Sequence, residues 1–306
     1  MATGLSVSST SNMSSGQRVF VAQAIMANEP AAPGPDLIES ERIPQGTKQW
    51  DILSWARFAN ASALTEGADL TVSQQLVSSS LSLTPSEFGI LAQVSWRLQR
   101  RQGDASVAGA TGRMVGAALR RRQDSDVIDL FDGFSKSLPG AGVVLTSGIV
   151  RGTYAYLRTD NAVDGVTGSF GPAPLPLVGD LHVEQFSDIV GDLTPAGSDP
   201  YSMTYPVGGG SMAEEVLKQW WMGKHRLYGI QFFEGGNISR DSSGDSKGAI
   251  FARQALYMVV GDNADITEEK DNSLRATEYG AFQEWATGER ADTWGAEIYS
   301  ATDSTT

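Results

Sequence analysis

From residue 88 the apolar side chains fall on every second position, at Phe88, Ile90, Ala92, Val94, Trp96 and Leu98, with Leu91 alone out of phase. From Val107 the spacing lengthens to that of a helix. Period two sets one face of a strand against a core, and a spacing of three and four does the same for one stripe of a helix. Val107, Thr111, Met114, Val115, Ala118 and Leu119 carry that stripe; Val127, Ile128 and Phe131 resume it after the polar insert 120–126. A helix over 107–134 is about 40 Å long at the standard rise, well over twice the usual length. Arg120 with Asp124 and Arg122 with Asp126 stand at i,i+4 and support one helix through the insert, at about 0.3 kcal/mol each. Gly133 and the cluster Leu138-Pro139-Gly140 end it. Any fold for this chain must house that rod directly after a strand with one apolar face.

The segments around the rod are mixed. Residues 70–83 read as extended, with Leu70, Val72 and Leu76 on one parity, Leu81 and Leu83 on the other, and the switch at Ser78-Ser79-Ser80. A turn at Thr84-Pro85-Ser86-Glu87 follows, so 68–100 is expected to form one long two-stranded excursion. A lone hairpin is marginal in water, and its apolar face needs a partner. From 141 to 246 an α/β region is expected. Ile149, Val150, Thr153, Tyr154 and Leu157 mark a helix, and Leu175, Leu177 and Val178 lead through Gly179-Asp180 into a second, with Val183, Phe186, Ile189 and Val190 inward. A third follows Gly208-Gly209-Gly210-Ser211, with Ser211 as N-cap and Glu214 at the capping-box position. After a loop at 241–245, strands are expected over 250–260, 279–285 and 294–299, with a turn at Thr287-Gly288-Glu289-Arg290. No internal repeat is visible, which argues against solenoids and propellers. The amino-terminal patch Val19, Phe20, Val21, Ala24, Ile25 and Met26 reads as part of an extended arm rather than an export signal. Gln23 interrupts it, and seventeen residues rich in Ser and Thr precede its only basic residue, Arg18.

Chemistry-bearing motifs are sparse. The chain has no cysteine, which removes disulfides, thiol catalysis and cysteine zinc sites, and its longest apolar runs fall far short of the roughly 20 residues that span a bilayer. A formal charge of -13 opposes tight coating of nucleic acid or an anionic membrane. His182 and His225 have no partner at metal-ligand spacing. His182-Val183-Glu184 matches half of a zinc deaminase motif whose cysteines are missing, and His182 is expected to be structural. Gly208-Gly209-Gly210-Ser211 lacks the Lys-Ser/Thr of a phosphate loop and reads as a flexible loop. No catalytic, cofactor-binding or metal-binding residue is assigned. Charge placement says more: residues 97–122 hold seven arginines against Asp104 alone, whereas 262–306 hold eleven acids against three bases. Two solvated faces would explain this; so would a basic surface of one copy meeting acidic strands of another. Trp220-Trp221 is read as core, with an interface anchor as the alternative.

The order of segments resembles the major capsid protein of tailed bacteriophages, the Hong Kong 97-type coat fold. Gly112-Arg113-Met114-Val115-Gly116-Ala117-Ala118-Leu119, continued through Asp126-Val127-Ile128-Asp129-Leu130-Phe131-Asp132-Gly133-Phe134, resembles its spine helix. Pro176-Leu177-Val178-Gly179-Asp180-Leu181-His182-Val183-Glu184-Gln185-Phe186 is similar to the strand-to-helix passage of the axial domain. Gly248-Ala249-Ile250-Phe251-Ala252-Arg253-Gln254-Ala255-Leu256 and Ala291-Asp292-Thr293-Trp294-Gly295-Ala296-Glu297-Ile298 resemble strands returning to the peripheral domain.

The resemblance implies an α+β chain with an N-terminal arm (1–48), an extended two-stranded loop (49–102), a peripheral domain with spine helix and sheet (103–139 and 247–306), and an α/β axial domain (140–246). It implies a structural coat protein, not an enzyme. Copies would self-assemble into pentamers and hexamers forming an icosahedral head shell around packaged double-stranded DNA, held without sequence-specific binding. The implied partners are other copies, a scaffolding protein, a portal and a decoration protein; no cofactor and no membrane are implied. The place is the virion, with assembly in the host cytoplasm. Contacts between subunits are expected from Phe88, Ile90, Val94, Trp96 and Leu98, and from Arg97, Arg100, Arg101, Arg120, Arg121 and Arg122. Some members of the family weld subunits through a loop lysine; residues 49–135 contain none, so that cross-link is not expected. The 48 residues before the loop are too few for a built-in scaffolding domain. An acidic extracellular binding or surface-layer protein also fits the composition, and a hydrolase with two carboxylates is the third alternative.

Overall fold

The computed structural model describes residues 7–8, 31–58, 73–102, 104–159, 170–193, 225–261 and 265–302, with 61, 63, 66, 67 and 69 singly. Along the chain come β1 (Val7–Ser8), the short helix α1 (Gly34–Leu37), β2 (Glu39–Arg42), β3 (Trp50–Trp55), β4 (Ser78–Leu83), β5 (Ser86–Ser95), α2 (Trp96–Gln102) and α3 (Asp104–Ile128). Then follow β6 (Ser137–Val144), α4 (Ser147–Arg158), β7 (Leu177–Leu181), α5 (Val183–Leu193), β8 (Arg226–Leu227), β9 (Ile230–Glu234) and β10 (Asp245–Ala252). The chain closes with β11 (Leu256–Val260), β12 (Asp265–Asp271), β13 (Ala276–Glu289) and β14 (Gly295–Ala301). One sheet has the order β1-β5-β13-β11-β2, with β12 also on β13; a second runs β6-β14-β10-β7-β9-β8; β3 and β4 form a two-stranded ribbon.

The 25-residue α3, about 37 Å long, is the rod that the sequence requires. Its stripe lies on the first sheet: Val115 and Leu119 pack with Ala281 and Trp285, against Phe88, Ile90 and Ala92, and Val107 packs with Val94 and Leu98. Its carboxy-terminal end enters the joint between the two sheets. There Val127 and Phe131 meet Leu37, Ile38, Phe251, Leu256 and Met258, with the Phe131 and Phe251 rings 5.6 Å apart. The second sheet is covered by α4 and α5 through Val150, Leu157, Phe186 and Ile189. Thr146 caps α4 by accepting from the Ile149 N–H. His182 begins α5: its carbonyl accepts from Phe186 N–H, while the Gln185 side chain accepts from His182 N–H at 3.0 Å. Two helices in 141–246, at 147–158 and 183–193, match the expectation; the third, with Gly208-Gly209-Gly210-Ser211, Glu214 and Trp220-Trp221, lies outside the described residues, as does the arm patch at 19–26.

Several expectations are corrected. Residues 68–100 are not one hairpin: β4 pairs antiparallel with β3, whereas β5 pairs with β13. The β5 strand stops at Ser95, whose hydroxyl accepts from Leu98 N–H at 3.3 Å and starts α2, so Trp96 and Leu98 are helical. The rod ends at Ile128, short of 134, and a 3-10 turn at Phe131–Gly133 follows. Residues 250–260 break at a turn after Ala252. Thr287, Gly288 and Glu289 continue β13 rather than turning, because β11 pairs with them up to Leu256–Glu289. The acidic strand β12 has too few apolar residues to signal itself and forms by pairing along β13.

Phe251→Ala removes a fully buried ring from the joint that seats the helix end. It should lower unfolding stability by about 3–5 kcal/mol, read as the midpoint shift in urea denaturation of the isolated chain.

Candidate assembly surface

The β3–β4 ribbon has two unlike faces. In register Trp50 opposes Leu83 and Ile52 opposes Leu81; this face packs on Ile43, Tyr257 and Val259. Gly288 lets the ribbon approach β13, since a Cβ there would meet Leu83 at 2.7 Å, and Arg290 Nε donates to Ser54 Oγ at 3.0 Å. The other face carries Asp51, Leu53 and Trp55 opposite Ser82, Ser80 and Ser78. Leu53 and Trp55 are each 55% exposed, and Phe58, Leu76 and Val77 beyond them are exposed too. Ala56 N–H donates to the Val77 carbonyl at 3.0 Å, so the ladder continues past the named strands. Asp51 accepts from Ser82 Oγ at 2.5 Å and from Gln49 Nε2 at 2.8 Å, bonds that hold its carboxyl below the usual range.

The residues expected to form the contact lie elsewhere. Val94 is 4% and Leu98 7% exposed. Phe88 stacks on Trp285 at 4.1 Å, and Ile90 packs on α3. Trp96 is half-buried and donates its Nε1–H to Thr277 Oγ1 at 3.2 Å. Val94 and Leu98 are taken up by the chain's own packing, which corrects the expectation that they await another copy, whereas Phe88, Ile90 and Trp96 are half-buried and keep part of their surface. Among the described residues, an apolar face left open lies on β3 and the segments beyond it. Sequence reasoning missed it because Trp50 and Ile52 alternate with Asp51 and Leu53, giving both parities apolar residues and no clean period.

The arginines divide as well. Arg120 pairs with Asp36 and reaches the Ala32 carbonyl at 3.3 Å. Arg122 pairs with Asp126 at 2.9 Å, as the i,i+4 spacing predicts, and lies 5.4 Å from the centre of the Phe88 ring. Both serve the chain's own packing, while Arg121 is exposed on α3. The expected Arg120–Asp124 pair is not the one made, because Asp124 turns inward to Gly34 and Asn237. Arg97, Arg100 and Arg101 are exposed on α2. With Trp96, Leu274 and Arg275 they line a cleft of about 690 Å³. A neighbouring cleft of about 580 Å³ adds Gln99, Lys270, Thr277 and the single acid Glu268. Arg275 has a left-handed backbone, φ +51, fixed where its carbonyl accepts from Trp96 N–H at 2.9 Å. These exposed cations lie side by side on α2 and the β12–β13 turn, suited to a partner carrying negative charge.

Among the described residues no cluster of three or more His, Cys, Asp or Glu is placed to hold a metal ion, and no helix is long and apolar enough to cross a membrane. His182 accepts from Glu184 N–H at 3.2 Å through Nδ1. Burial and the Arg240 charge lower its proton affinity.

No protein-family model matches the sequence, and no curated protein matches it. Solved structures do match. A chain of the acid-stable capsid of Helicobacter pylori bacteriophage KHP30 aligns with TM-score 0.66 at 10% identity, covering 98% of this chain and 100% of that one. A chain from Mycobacterium phage Che8 aligns with TM-score 0.65 at 12% identity, covering 92% and 96%. One from the capsid of cyanophage P-SCSP1u aligns with TM-score 0.62 at 13% identity, covering 93% of each. The chain has the fold of tailed-phage capsid proteins.

The double substitution Leu53→Thr with Trp55→Thr should leave unfolding stability of the isolated chain within about 0.5 kcal/mol, as for exposed positions. Leu98→Ala should cost about 2–5 kcal/mol. Urea denaturation monitored by circular dichroism measures both.

Proposed function

We propose that this chain is a structural coat subunit, not an enzyme, that self-assembles into pentamers and hexamers tiling an icosahedral head shell around packaged double-stranded phage DNA. The observation that carries this reading is the open face of the β3–β4 ribbon. Leu53 and Trp55 project from a two-stranded element whose other face, among the described residues, is the one seated on the chain. Such a surface is a liability in a lone molecule and an adhesive in an array. The shared fold with capsid chains, over more than nine-tenths of the length, points the same way.

In this reading residues 1–48 are the arm, and the extended loop is the β3–β4 ribbon rather than all of 49–102. The peripheral domain comprises α3 as its spine and the sheet that β5 joins, and 140–246 form the axial domain. The ribbon lies on a neighbouring copy. Arg97, Arg100 and Arg101, with Arg275, meet an acidic stretch of another subunit, for which β12 with Asp265, Glu268, Glu269 and Asp271 is suited. The enclosed DNA is held without sequence-specific binding, and the net charge of -13 opposes tight association with its phosphates. A scaffolding protein, a portal and a decoration protein are the partners, the virion is the destination, and assembly takes place in the host cytoplasm.

Producing the chain with and without a scaffolding protein, followed by size exclusion and negative-stain microscopy, tests this. Closed shells or curved sheets are expected for the wild type. Leu53→Thr with Trp55→Thr should raise the concentration needed for assembly by more than about tenfold, the loss of one aromatic anchor of about 2 kcal/mol. Reversal of Arg97, Arg100 and Arg101 to Glu should do likewise in low salt. A species of 32.6 kDa at every concentration and salt would overturn the reading.

A further inference from the structure

Residues 31–38 run as a strap across the joint between the two large sheets, held from three sides. From the loop after β9, Gly236 N–H donates to the Ala31 carbonyl at 3.1 Å. From the turn after β10, Arg253 donates to the carbonyls of Asp36 and Leu37. From α3, Arg120 grips Ala32 and Asp36, and Asp124 Oδ1 accepts from Gly34 N–H at 2.7 Å. The second oxygen of Asp124 accepts from Asn237 Nδ2 at 2.7 Å, which ties the strap, α3 and the β9–β10 loop at one carboxyl. Gly34 is required there, because a Cβ would meet Asp124 at 2.7 Å and Val127 at 3.3 Å.

On β7 beside this knot, Asp180 is wholly buried, and among the described residues neither of its carboxyl oxygens has a hydrogen-bond partner. A Cβ on Gly235 would strike its Oδ1, and its partners in register on β10 and β9 are Ala249 and Phe233. Among the described residues, the charges on the surrounding elements give it no counter-ion. Arg120 of α3 is paired with Asp36 of the strap, and Arg240 is paired with Glu184 of α5 next to His182. Lys247 of β10 turns to Asp132 and Glu297. Asp124 is the charged neighbour whose field Asp180 feels. Burial first, and the Asp124 charge second, push Asp180 well above the usual carboxylate range. Burial also raises Asp124, against the bonds from Asn237 and Gly34 and the charge of Arg120.

We propose that this knot is a proton-operated clasp: while Asp180 holds a proton, the strap stays seated on Asp124 and Asn237, and loss of that proton sets two carboxylates against each other and lifts the strap off. The folded chain holds the Asp180 proton more tightly than the unfolded chain. The stabilisation is therefore full below the ordinary aspartate value of about 3.9 and is lost as pH rises through the folded value. Glu289, pushed up to about 7 by burial and by Asp292, adds a slope of the same sign, so the informative quantity is the difference between variants.

Hydrogen exchange across residues 31–38, corrected for intrinsic rates, and melting temperature are to be followed from about pH 4 to about pH 9. The full-length wild type, Asp180→Asn and Asp124→Asn are compared. The wild type should lose at least about tenfold protection of the strap, the equivalent of one pK unit, as pH rises. Asp180→Asn should abolish that loss. Asp124→Asn, which keeps an acceptor for Gly34, removes the like charge that raises Asp180; Asp180 should then give up its proton at lower pH, but with no second carboxylate to oppose it the loss of strap protection should be abolished. Parallel profiles for the wild type and Asp180→Asn would overturn the clasp. If Asp180→Asn does not fold, the infrared band of a protonated carboxyl free of hydrogen bonds decides on the wild type alone: its presence at neutral pH supports the clasp, and its absence overturns it.

Discussion

The contact on which the rest of the structure depends is the burial of one stripe of α3. Along the first half of that stripe Val107, Val115 and Leu119 cover the sheet of β5 and β13. Past the polar insert, Val127 and Phe131 become the floor on which β10, β11 and the strap converge. One helix thus supplies cover to one sheet and a cornerstone to the joint with the other. A rod of 25 residues does what two short helices could not, because the two seats are too far apart for one ordinary element. Arg120 and Asp124, between the seats, are freed from pairing with each other and turn to the strap.

Much of this was legible. The change of period after Leu98 located α3 and the face it needs. The α4 helix and the β7–α5 passage followed from their apolar spacing, and β10, β11, β13 and β14 were expected as extended chain with other bounds. What stayed hidden was pairing. Hydrogen-bond ladders join residues far apart in sequence, and period two states that a strand has a buried face without stating what buries it. Phe88 and Val94 therefore looked available to a neighbour, although the chain's own rod begins only a few residues later. Leu53 and Trp55 went unnoticed because their strand has apolar residues on both sides. Arg97, Arg100 and Arg101 were visible as a cluster, but Arg275, brought to them by the β12–β13 turn, has no sequence signal linking it to α2.

Two kinds of surface therefore leave the fold unfinished, and they differ in physics. The clefts around Trp96 offer fixed cations, whose attraction reaches across a Debye length and weakens with salt. The ribbon offers apolar area, which acts only on contact and is indifferent to ionic strength. The first guides an approaching body; the second retains it.

The serines of β4 bear on how the ribbon meets water. Ser78 and Ser80 lie directly across from Trp55 and Leu53, where a partner strand ordinarily supplies bulk that shelters its neighbour. Here the neighbours are hydroxyls, so a wetted lane and a greasy lane run side by side along the strand axis. A wholly oily occupant would strip the hydroxyls of their hydrogen bonds, and a wholly polar one would leave the indole and the leucine in water. Only an occupant laid lengthwise, with its own two lanes in matching order, satisfies both, and so the short side chains of one strand dictate the compass bearing of whatever settles there.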